Sequence, residues 1–152
     1  MLQNCDLYLS REFEFEKGSI LFQSDVLISG TNGFIYESVV GSTIDSYSTL
    51  NLKNGLTFKY SPARAERNLL FMQDSTSRLF LDGCTLYSTR TGLCLTRGKL
   101  LLDNKVIFSS EGIATSEAIC FGNGNSVDDL DILLLADAQV EVYGRLEYEN
   151  SS

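Results

Sequence analysis

The chain has 152 residues, 43% of them hydrophobic and 21% charged, which suits one folded domain rather than a disordered segment. Twenty acidic against twelve basic residues give a net charge of −8; nucleic acid and anionic membranes need a basic face, so neither is expected as the main partner. Histidine is absent, which excludes Ser-His-Asp and Cys-His nucleophiles and histidine-held metals.

Twelve glycines against a single proline, with many Asn, Asp and Ser residues, mark an all-β chain rich in tight turns. Apolar residues alternate in short apolar-x-apolar triplets, each followed by the next about six or seven residues later. Hairpin sandwiches need strands of ~5–6 residues at wider spacing, whereas three short strands per coil of a parallel β-helix fit this rhythm. In chain order, after Leu7, the strands A, B and C of one coil are expected to begin at Phe13, Ile20 and Val26, and of the next at Phe34, Leu50 and Leu56. Leu69, Leu79 and Thr85 follow, then Leu93, Leu100 and Val106, then Ile119, Leu133 and Val140, with a last strand A at Leu146. Residues 1–152 thus read as a single β-helix domain of about five coils, roughly 25 Å tall at ~4.8 Å per stacked strand. Insertions fall near 37–49, 59–68, 109–118 and 122–132. In the second of these, Ser61-Pro62 ahead of Ala63 to Arg67 predicts a capped helical turn.

The B-to-C corner carries Ser24, Asn54, Gly83, Asn104 and Asp137 in successive coils. Asn, Gly and Asp tolerate the left-handed backbone that a sharp bend requires, so these positions are expected to form a turn ladder. The stretches Arg78 to Leu86 (RLFLDGCTL) and Gly98 to Phe108 (GKLLLDNKVIF) resemble the right-handed parallel β-helix proteins of the pectin-lyase-like class. That resemblance is one of pattern and spans nearly the whole chain. It implies the fold and its right-handed winding, and carries no activity with it.

Inward positions of strand A read Phe15, Tyr36, Phe71, Leu95, Phe121 and Tyr148, a column expected to be plain core. The outward middle positions are less ordinary, because a solvent-facing strand should be polar there. Leu21, Ile35, Leu70, Phe80, Leu101 and Leu134 are apolar, and they are expected to lie under a folded-back loop or to form an assembly face. Strand-like alternation runs from Leu7 to Tyr148 with no amphipathic helix to cap either end. Open strand edges pair with another chain unless shielded, and a contact that does not close gives a fibre.

Among the loops, Asp128, Asp129 and Asp131 offer carboxylates to a Ca²⁺ ion, although their spacing lacks the order of an EF-hand; no other cofactor is expected. Polysaccharide-cleaving β-helices work with clustered carboxylates, and their hydrolases add a histidine motif and Arg-x-Lys. Asp128-Asp129 matches in type and Arg97-x-Lys99 in spacing, but these lie apart and no histidine exists. Cys5, Cys84, Cys94 and Cys120 show no CxxC spacing. Cys94 and Cys120 hold equivalent positions in consecutive coils, so they are expected to be neighbours, either as two thiols or as a disulfide.

The expectation is a non-catalytic structural or surface solenoid whose partner is itself, by head-to-tail stacking into a filament or by lateral packing. The alternative is a carbohydrate-binding or polysaccharide-cleaving module. Its fold favours the extracellular space or the cell surface, although Met1 to Arg11 has neither segment of a signal peptide. No apolar run reaches the ~18 residues of a membrane span, so no membrane insertion is expected.

Overall fold

A computed structural model of the chain describes residues 1–89, 91–111, 118–122 and 130–149. These residues contain seventeen strands and no helix. In chain order the strands are β1 (Leu2–Tyr8), β2 (Phe13–Phe15), β3 (Leu21–Ser29), β4 (Gly33–Tyr36), β5 (Ser42–Ile44), β6 (Thr49–Lys53), β7 (Thr57–Tyr60), β8 (Leu70–Met72) and β9 (Arg78–Asp82). They continue as β10 (Thr85–Ser88), β11 (Leu93–Leu95), β12 (Gly98–Asp103), β13 (Lys105–Ser110), β14 (Ile119–Phe121), β15 (Leu130–Leu134), β16 (Gln139–Tyr143) and β17 (Leu146–Tyr148). Every pairing is parallel and joins one coil to the next, which makes the chain a parallel β-solenoid of about six turns.

Three walls enclose the core. Wall B is the ladder β15-β12-β9-β6-β3, with β1 on the far side of β3. Wall C is β16-β13-β10-β7-β4-β2, and wall A contains β11-β14-β17. The remaining short strands, β5 and β8, extend from the first residues of β3, where Leu21 and Phe22 pair with Thr43 and Ile44. Alternation drives this arrangement. In β6 and β9 every second residue is buried, so each strand gives one apolar face to the interior. The columns Val26–Leu50–Leu79–Leu100 and Ile28–Leu52–Leu81–Leu102 stack like on like at nearly zero exposure.

Wall C contributes the aromatics. Phe13, Phe34 and Phe58 stack at 5.1 and 5.3 Å between ring centroids, and Phe15, Tyr36 and Tyr60 at 5.6 and 5.8 Å. The two buried tyrosine hydroxyls find partners in the loops that follow wall C. Tyr36 donates to the Val40 carbonyl and shares a 2.9 Å hydrogen bond with Ser42 Oγ. Tyr60 donates to the Glu66 carbonyl and accepts from the Leu69 amide at 3.1 Å. Burial raises the pKa of both phenols, so each stays protonated and pins its loop.

Three expectations change. The turns number about six rather than five, because β1 and β2 already form one coil. The phase of the first coils also shifts. Phe13 and Phe34 pair with wall C and Val26 pairs with Leu50 of wall B, while the residues after Ile20 belong beside β5. Consequently the proposed inward column divides: Phe15 and Tyr36 stand in wall C, Leu95, Phe121 and Tyr148 are register partners in wall A, and Phe71 points outward at 39% exposure. Finally, the stretch 37–49 contains β5, and residues 61–68 bend without forming a helical turn.

Candidate functional site

Wall B presents three outward columns. The middle one runs Asp6, Leu27, Asn51, Phe80, Leu101 and Leu133. On one side stand Asp25, Thr49, Arg78, Lys99 and Asp131; on the other, Tyr8, Ser29, Lys53, Asp82 and Asp103. Four of the six middle residues are large and apolar, on a face where pleat geometry alone would put polar groups. Among the described residues β6, β9 and β12 pack mainly against their ladder neighbours, and β9 also meets β13 through the core. A hollow of about 270 Å³ opens in the stripe above Asn51, lined by Asp6, Asp25, Val26, Leu27, Thr49, Asn51 and Phe80. Asn51 Oδ1 is buried there and has no hydrogen-bond partner. The flanking column is fixed in place, since Lys53 Nζ lies 3.4 Å from Asp82 and Asn104 Nδ2 donates to Asp82 Oδ1 at 2.7 Å.

Of the expected assembly face, Phe80 and Leu101 lie in this stripe. The other residues lie elsewhere. Leu21 sits at the β5 end of the sheet, Ile35 faces outward from wall C between Glu14 and Lys59, and Leu70 is buried. Leu134 is register partner to the inward Leu102, and the outward residue is Leu133. The run Leu130-Asp-Ile-Leu-Leu-Leu135 lacks a clean alternation, so only its pairing with β12 fixes the parity. The sequence places Asn51 at the outward middle position of strand B, as observed, but it missed Leu27 because it put Val26 in the wrong wall, and it did not single out the flanking charges.

Leu134 is nonetheless 64% exposed, for a different reason: β15, β16 and β17 are the last strands of their ladders. Val142 at 45% and Tyr148 at 64% are likewise inward residues with no coil above them among the described residues. At the opposite end Phe13, 44% exposed, is the last ring of the aromatic stack. Both ends are acidic. Glu14, Glu16 and Glu37 bring carboxylate oxygens within 4.8 Å of one another beside the first coil. The last turn carries Asp131, Asp137, Glu141, Glu147 and Glu149 against Arg145.

The turn residues divide between two corners. Asn54, Gly83 and Asn104 occupy the B-to-C corner with φ of 62°, 63° and 53°, and the Gly55 amide donates to the Gly83 carbonyl at 2.7 Å. Ser24, with φ of 59°, instead lies at the A-to-B corner, where its amide donates to Ser48 Oγ at 2.9 Å. Asp137 lies in a longer turn closed by the Ala138 amide on the Leu135 carbonyl at 3.1 Å, outside the positive-φ series. Asp128 and Asp129 lie outside the described residues, and Asp131 faces outward beside Lys99.

Cys94 and Cys120 are register partners, with Glu147 next in the column. All four cysteines are free thiols. The Cys94 and Cys120 thiols both donate to the Gly122 carbonyl, at 3.3 and 3.5 Å. Glu147 and Glu149 come within 4.8 Å of the Cys120 sulfur, and Arg145 Nε pairs with Glu147 at 2.5 Å. Burial pushes the Cys120 thiol up to about 12 and raises Cys94 as well. Both therefore hold their protons at neutral pH and are poor nucleophiles.

Compared with protein-family models, curated proteins and solved structures, the chain matches none.

Proposed function

We propose that the chain is a non-catalytic structural solenoid that self-associates. One observation carries this reading: the outer face of wall B bears an apolar column, Leu27, Phe80, Leu101 and Leu133, where a solvated strand would be polar. The exposed inward residues of the last turn add a second surface, which a further coil would cover, whether from another copy or from a continuation of the chain. The two contacts respond oppositely to salt. Stacking brings together two acidic ends, so screening strengthens it, whereas a lateral contact between opposite charges weakens. Light scattering and negative-stain microscopy across a concentration series, at low and high salt, test the reading. Concentration-dependent dimers or filaments support it, and a strict monomer under both conditions overturns it.

The pattern resemblance to secreted β-helix proteins supports a site of action outside the cell or at its surface. A saccharide is the second reading. The hollow at Asn51 offers an aromatic ring beside the carboxylates of Asp6 and Asp25, the combination that stacks on and hydrogen-bonds a sugar ring. Calorimetric titration with oligosaccharides tests it, and Phe80→Ala should abolish any heat of binding.

A further inference from the structure

We propose that two copies of the chain pack wall B against wall B about a two-fold axis parallel to the solenoid axis. This rests on the self-association reading above and specifies its partner, face and symmetry.

The charge pattern selects the axis. Arg78 and Asp82 stand on β9, two residues either side of Phe80, and Lys99 and Asp103 stand likewise on β12 around Leu101. A two-fold parallel to the solenoid axis keeps each coil at its own height and reverses the strand direction. Arg78 then faces Asp82 of the second copy, and Lys99 faces its Asp103. Each contact occurs twice, as an isologous interface requires. One coil away, Lys53 of the second copy lies diagonal to Asp25 on one side and to Arg78 on the other. A two-fold along the strand direction at the height of β9 sets Arg78 and Asp82 each on its own counterpart and Asp25 on Asp131, and leaves Lys53 facing Asp103 as its one opposite-charge pairing. The pattern therefore favours one geometry and penalises the other. Neither Arg78 nor Lys99 enters an ion pair among the described residues.

The middle column lies on the axis, so its residues meet their own counterparts. Leu27, Phe80, Leu101 and Leu133 then form an apolar seam between two sheets packed ~10 Å apart. Between Leu27 and Phe80 Asn51 is the single polar residue of that seam, while Asp6 ends the column beyond Leu27 and meets its own counterpart at the edge of the contact. The buried Asn51 Oδ1 has no partner within one copy. The hollow around it leaves room for the amide to turn, and two Asn51 amides facing each other supply one another's missing hydrogen bond. An unpaired polar group inside a seam otherwise opposes burial, and a matched pair sets register.

Sedimentation equilibrium on Arg78→Asp, Asp82→Arg and their equimolar mixture provides the test, with circular dichroism confirming that each variant folds. In each single variant like charges meet twice per dimer, so its dimer should weaken roughly tenfold or more. In the mixture, a chain with two acids meets a chain with two bases, and a heterodimer should form at least as tightly as the wild-type homodimer. A merely local effect of either substitution would not produce that recovery. If the single variants and their mixture associate like wild type, or if wild type assembles only end to end into filaments indifferent to these charges, the inference fails while self-association stands. A wild-type chain that stays monomeric at millimolar concentration overturns both.

Discussion

Phe58 and Phe80 are the same residue type one coil apart, and the structure gives them opposite environments. Phe58 is fully buried in β7, its ring stacked on Phe34 at 5.3 Å with 15° between planes and Tyr36 at 6.4 Å. Phe80 points outward from β9 and is half-buried. Phe58→Ala removes a ring that neighbouring coils cannot close over, which costs about 3–5 kcal/mol in transfer and cavity terms. That is a large fraction of the ~5–15 kcal/mol that holds a typical domain together. At about 2–4 °C per kcal/mol for a chain of this size, Tm should fall by about 6–20 °C. Phe58→Leu, which keeps most of the volume, should cost less than about 1.5 kcal/mol. Phe80→Ser leaves no interior void and should cost under about 1 kcal/mol in the monomer. Urea unfolding followed by circular dichroism measures all three. Hydrogen exchange adds a spatial readout, because a solenoid couples mainly neighbouring coils: Phe58→Ala should expose amides of β4, β7 and β10 before those of β15. Equal losses for Phe58→Ala and Phe80→Ser would refute the assignment of inner and outer faces.

Asp74 gives a pH dependence of defined sign. The Ser46 and Thr76 hydroxyls and the Thr76 amide donate to its carboxylate and hold its pKa down to about 2, from 3.8. Its contribution to stability should be complete above about pH 3.8 and vanish as the pH falls to about 2; Asp74→Asn should remove that part of the acid limb. Gly98 has a φ of +88°, and a β-carbon there would sit 2.6 Å from Met72 Sδ and 2.8 Å from Met72 Cβ. Gly98→Ala should therefore lower the unfolding free energy by more than about 1 kcal/mol, and an unchanged denaturation midpoint would contradict this close approach. Burial pushes the Cys84 thiol, like Cys120, up to about 12, so thiol reagents at mildly alkaline pH should modify both only at the rate of unfolding, whereas the half-buried Cys5 reacts without it.

The sequence by itself determined the all-β class, the three short strands per turn and the stacking of like on like. These follow from the period of the apolar triplets, which depends only on strand pleat and corner length. It also placed Cys94 beside Cys120, and put Asn54, Gly83 and Asn104 at one corner, because left-handed backbone admits few residue types. Only the tertiary structure decided which wall each triplet joins. An apolar-x-apolar triplet reads the same in walls A, B and C, and β3 runs through the A-to-B corner as one unbroken strand, so nothing local separates Ile20 from Val26. The short strand β5 escaped notice because its buried Ser42 is polar, and its place inside depends on the Tyr36 hydroxyl from another wall. The parity of β15 was open for the same reason. A run of leucines satisfies either face until Gly98–Leu102 pairs with it. Wall identity is a long-range property, fixed by hydrogen bonds between residues twenty or more positions apart, and the outward column of Leu27, Asn51, Phe80, Leu101 and Leu133 exists only once those bonds are made.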